Sequence, residues 1–106
     1  MQNKRQGIIS QIVQEIVLLS NPTRVLLFGS AAKGKNHAGD DLDFLIIVKD
    51  RQDPNRVLDQ LNMGVKTRSL PCDFLVATEK TIKKHGRTPG LIYREALSEG
   101  VVLYAA

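Results

Sequence analysis

Tryptophan is absent, cysteine occurs once, and two tyrosines and three phenylalanines are the only aromatic residues in 106. A lone Cys72 excludes a disulfide framework and a multi-cysteine zinc site. So few aromatic rings leave few stacking platforms for single-stranded nucleic acid. No run of 18 apolar residues occurs, so no transmembrane helix is expected. Lys4 and Arg5 precede an apolar stretch in the outline of a signal peptide. Gln11, Gln14 and Glu15 interrupt that stretch, and no small-residue cleavage site follows Leu18 and Leu19. A cytoplasmic location is the expectation. Repeats, low-complexity tracts and linkers are missing too, and the length suits one domain over residues 1–106.

What is present is ordinary globular composition, 42% hydrophobic and 25% charged. The net charge of +4 and a pI near 9.5 point toward anions without choosing one. Ile8, Ile9, Ile12, Val13 and Ile16 recur at helical spacing and predict a helix over about 5–19, ended by Ser20-Asn21-Pro22. Val25 to Phe28 is wholly apolar and closed by Gly29, a strand covered on both faces. Residues 29–40 are small and polar, and long for a connection. Leu42 to Val48 predicts a second strand, apolar except for Asp43. Asp53-Pro54 is a helix start, with Gly64 placed to cap its far end. A strand over Phe74–Ala77, helices over 78–84 and 90–99, and an edge strand over Val101–Tyr104 complete the order. The fold class expected is α/β (α+β): a small mixed sheet of three to four strands with helices packed on it.

The chemistry is concentrated in two places. Asp40, Asp41 and Asp43 put three of the 11 acids within four residues of a net basic chain. On a strand Asp41 and Asp43 would face one way, about 6.7 Å apart. At an effective dielectric of about 20 their repulsion is roughly 2–3 kcal/mol. A divalent cation relieves it, and magnesium is commonly held by one or two carboxylates together with phosphate oxygens. A solvated loop rim is the ordinary alternative for such a pair. The second place is Gly29-Ser30, directly after a strand. Glycine there admits close approach of a ligand, Ser30 supplies a hydroxyl, and Lys33 and Gly34 add a mobile charge and a second bend. Taken alone this is also an ordinary basic turn, and the Walker spacing is missing.

Together they read Gly29-Ser30, ten residues, Asp41, one residue, Asp43, inside LLFGSAAKGKNHAGDDLDFLIIV. This pattern resembles the signature of the DNA polymerase β-like nucleotidyltransferases. With the closing EGVVLY, it resembles in particular their minimal nucleotidyltransferase (MNT) group, over residues 8–104. The resemblance implies that Ser30, with Gly29, Lys33 and Gly34, contacts nucleotide phosphates, and that Asp41 and Asp43 bind metal. It implies a third carboxylate on the next core strand, for which Asp73 fits, as metal ligand and base. Asp40 stands where the family commonly has serine, either adding local charge or raising the cost of nucleotide approach. Lys33 stands where the turn often carries arginine, and lacks its bidentate fork. His37 reads as an exposed loop residue, the 80–87 lysine-rich stretch as a solvated face, and Cys72, Tyr93 and Tyr104 as packing residues.

The resemblance further implies catalysis by two Mg2+ ions, with Mn2+ an alternative, and transfer of a nucleoside monophosphate, AMP from ATP, to a hydroxyl. The expected acceptor is a tyrosine of a small helical HEPN-type toxin, with this chain as antitoxin. Two other roles stay open on the same residues: an inactive module that neutralises a partner by occlusion, or a catalytic subunit for a small hydroxylated substrate such as an aminoglycoside. Nucleic-acid binding rests only on charge and is disfavoured. An uncovered last strand admits a homodimer.

Overall fold

The N-terminal apolar periodicity becomes helix α1, Lys4–Ser20, which buries Ile12, Val13 and Ile16. In the computed structural model, residues 4–32 and 41–106 are described. The helix ends through Asn21, whose φ of 47° is left-handed and whose amide donates to the Val17 carbonyl. The expected stop before Pro22 is thus made by a left-handed cap rather than by extended backbone.

Strand β1, Arg24–Phe28, runs into a single 3-10 turn at Gly29–Ala31. Strand β2 covers Leu42–Val48 and β3 covers Cys72–Thr78. Between them lies α2, Pro54–Gly64, whose N-cap Asp53 accepts a hydrogen bond from the Asn55 amide. Gly64 is the last residue of α2 rather than the residue beyond it. A Cβ there would stand 2.8 Å from the tip of the Leu19 side chain, so α2 ends against α1 at this position. Helices α3, Glu79–His85, and α4, Ile92–Glu99, precede the last strand β4, Val101–Ala105.

The sheet order is β3-β2-β1-β4. β1 is antiparallel to β2 and to β4, and β2 is parallel to β3. Side chains alternate between two cores. Leu42, Phe44, Ile46 and Val48 join α1 and α2 on one face. Leu45 and Ile47 of β2, with Leu26, Phe28, Leu75 and Ala77, join Ile82 of α3 and Ala96 of α4 on the other. Every residue of β2 except Asp43 is fully buried. A small mixed sheet with helices packed on it is the architecture expected, and the helices cover both of its faces. None of the described helices is long and apolar enough to cross a membrane.

Glu15 of α1 ties down the segment that enters β3. Its carboxylate accepts from the Lys66 amide at 2.6 Å and the Thr67 amide at 3.3 Å. Burial pushes its pKa up, but the hydrogen bonds from Thr67 and Lys66 and the nearby Arg68 outweigh it and leave the pKa lowered. A lowered folded-state value means stability that is present above the unfolded pKa and lost as pH falls through the folded one. Glu15→Ala should therefore cost about 1 kcal/mol at neutral pH, measured by urea unfolding. The gap to the parent should close in acid.

Candidate active site

The site forms at the end of the sheet where β1 stops and β2 and β3 begin. Asp43 pairs with Phe28 across the antiparallel ladder and with Asp73 across the parallel one. Adjacent strands lie about 4.8 Å apart, and register partners in a parallel pair point to the same face. Asp43 belongs to the row of Leu45 and Ile47, and Asp73 to the row of Leu75 and Ala77, so both carboxylates stand on the α3–α4 face. The sequence pattern puts Asp73 at a strand entrance; β3 starts earlier, at Cys72, so Asp73 is paired within the ladder. The Leu42 amide donates to the Pro71 carbonyl and carries the pairing past the strand ends.

Gly29 has φ of +73°, a left-handed value that favours glycine. A Cβ built there would stand 2.5 Å from Oδ2 of Asp43. The bare glycine therefore makes room for that carboxylate at the turn presenting Ser30. Gly29 and Asp43 are half-buried, while Ser30, Asp41 and Asp73 are exposed. Lys33, Gly34, His37 and Asp40 lie outside the described residues.

Burial raises the pKa of Asp43, and the charges of Asp73, Asp41 and Glu95 raise it further. Glu95, on α4, is not among the residues the sequence pattern singles out. The signal for it is indirect. A Cβ added at Gly100 would stand 3.2 Å from the Leu27 carbonyl oxygen, so α4 must end beside the Gly29 turn. Among the described residues, no three His, Cys, Asp or Glu side chains form a ready cation cage. The donor set nevertheless suits magnesium: hard carboxylate oxygens on adjacent strands, with space kept free by a glycine.

The lysine-rich stretch is elsewhere. Lys80 and Lys83 line a hollow with Arg24, Asp50 and Glu79 at the opposite end of the sheet. Five steps along β3 lead from Asp73 to Thr78, about 16 Å. Cys72 is half-buried, its Sγ directed at the Leu70 carbonyl, and burial pushes its pKa up.

A family model for the nucleotidyltransferase domain matches residues 8–103. The chain belongs to that family. The nucleotidyltransferase has no match among curated proteins. Three solved structures are similar to it in fold. A candidate nucleotidyltransferase from Sulfolobus solfataricus has a TM-score of 0.64 at 17% identity, covering 93% of this chain and 78% of that one. A toxin–antitoxin structure with AMP-PNP has a TM-score of 0.58 at 14% identity, covering 92% and 73%. The toxin–antitoxin MntA-HpeT, with a tyrosine-to-alanine substitution, has a TM-score of 0.52 at 18% identity, covering 99% and 75%.

The raised pKa of Asp43 carries a sign. Its ionised form weakens the folded state above the folded pKa, and the penalty disappears as pH falls below the unfolded value. In magnesium-free buffer, Asp43→Asn should melt a few degrees above the parent at neutral pH, and the two should converge in acid. Gly29→Ala should do the reverse, costing about 2 kcal/mol through backbone strain and displacement of the Asp43 carboxylate.

Proposed function

We propose that this nucleotidyltransferase moves AMP from ATP to a tyrosine hydroxyl on a partner protein, a small helical toxin of the HEPN type, and so acts as an antitoxin. The observation carrying the reading is the register of Asp43 with Asp73 beside the left-handed Gly29-Ser30 turn. The fold similarity to a toxin–antitoxin bound to AMP-PNP supports the adenine nucleotide and the protein partner.

Asp41, Asp43 and Asp73 are the residues that would hold two magnesium ions. When bound, such ions neutralise charge developing on the α-phosphate and on the departing pyrophosphate. The Gly29 backbone and the Ser30 hydroxyl hold the β- and γ-phosphates, assisted by Lys33 and Gly34, so that the α-phosphorus is presented in one orientation. Asp73, exposed at the rim, accepts the proton of the acceptor hydroxyl. The acceptor oxygen bonds to the α-phosphorus, and the bond from that phosphorus to the bridging oxygen breaks. Pyrophosphate leaves with the electron pair. Positioning and charge compensation are most of what phosphoryl transfer asks of a protein.

Intact-mass spectrometry of a HEPN-type partner protein, after incubation with this chain, ATP and magnesium, should show a gain of one or more AMP units. Asp43→Asn should reduce the rate by roughly a hundredfold or more. Neutralisation of the toxin that survives Asp43→Asn, with no mass gain, would replace catalysis by occlusion.

A further inference from the structure

Helix α4 holds the sheet through Ala96, Tyr93 and Leu97. Its other side faces solvent, where Leu91 is 40% and Ile92 47% exposed. Leu91, Ile92, Glu95, Ser98 and Glu99 line an open groove of about 650 Å³. The groove adjoins the carboxylate site: α4 packs on the Gly29–Ala31 turn, and the Glu95 charge reaches Asp43. The neighbouring hollows open elsewhere. One lies among Arg24, Lys80 and Lys83 at the far end of the sheet, and one beside Val13, Val17 and Tyr104 on its other face.

The groove has a direction. Leu91 and Ile92 form an apolar seat at its start, and Glu95 and Glu99 follow one helical turn apart. Arg94 also borders it, on the wall shared with a hollow lined by Gly86, Arg87 and Leu97. Glu95 is thus the acid of the groove whose charge reaches the carboxylate site, on a chain whose net charge is +4. A polypeptide entering along α4 meets negative charge where its hydroxyl must be presented.

We infer that the groove along α4 is the docking surface for the acceptor polypeptide, and that it takes a segment carrying an aliphatic side chain and a lysine or arginine next to the hydroxyl-bearing residue. The aliphatic group seats on Leu91 and Ile92, and the cation pairs with Glu95 and Glu99. This rests on the proposed transfer to a protein hydroxyl, and it names the kind of segment that the same site accepts. Glu95 and Glu99 are here specificity residues rather than catalytic ones.

The test is amide chemical-shift mapping on the full nitrogen-15-labelled chain, with two short synthetic peptides. Each holds a tyrosine and a leucine; one adds arginine beside the tyrosine, the other glutamate. The arginine peptide should give saturable shifts concentrated at residues 90–99 and bind about tenfold more tightly than the glutamate peptide. Glu95→Arg with Glu99→Arg should reverse the preference, and Glu95→Gln with Glu99→Gln should abolish it. Shifts located off α4, equal binding of both peptides, or no saturable shift would overturn the inference. Magnesium-ATP is titrated separately and should move Gly29, Ser30 and Asp43. Its failure to do so would overturn the catalytic reading, while the peptide titration still decides whether α4 docks a basic segment.

Discussion

The parallel register between β2 and β3 is the constraint on which the site depends. Phe44 and Phe74 are partners in that register, with ring centroids 6.1 Å apart on the α1–α2 face. One step back along both strands stand Asp43 and Asp73 on the opposite face. A slip of one residue would turn Asp73 into the apolar layer under α1 and α2 and bring Cys72 or Phe74 beside Asp43. The aromatic pair and the aliphatic rows behind it make that slip expensive, since each fully buried aliphatic or aromatic side chain is worth about 1.5–3 kcal/mol. Buried hydrocarbon on one face thereby fixes the separation of two charges on the other.

The same rows let the fold tolerate what the site imposes. A left-handed turn and carboxylates that repel each other are both unfavourable locally, and both occur at one end of an otherwise buried sheet. Concentrating such features where function needs them, and compensating elsewhere, is how folded proteins commonly carry a working site. Gly29 connects the two features. Its backbone conformation and its missing side chain both serve the placement of the Asp43 carboxylate.

Much of this was legible in the sequence, because it depended on local pattern. Leu42–Val48 is the strand the apolar run predicts, and Asp53 caps α2 before Pro54 as the residue types require. The Gly29-Ser30 and Asp41, Asp43 spacing marks the end of the sheet where Gly29 and Asp43 meet. What was not legible depended on contacts distant in sequence. Asn21 takes a left-handed cap, and Gly64 ends α2 against Leu19 of α1. Asp73 lies within its strand because pairing with β2 extends β3 beyond its apolar stretch. Glu95 enters only when β4 pairs with β1 and returns α4 to the motif end. Lys80 and Lys83 follow β3 directly, yet the strand's length carries them to the far end of the sheet.

This segregation of charge bears on how a nucleotide would arrive. A chain of net charge +4 attracts a triphosphate at long range, but beyond about 8 Å exposed charges are largely screened at physiological salt. Within that distance the charges of Asp41, Asp73 and Glu95 add to that of Asp43, and these carboxylates repel it. On the proposed function, approach of the triphosphate and neutralisation of the carboxylates by divalent cations are coupled, each raising the affinity for the other by the same factor. A basic side chain of the acceptor lying along α4 would belong to that balance as well. It would lower the local negative potential beside Asp43, so that the complete set of reactants is held more firmly than any one of them.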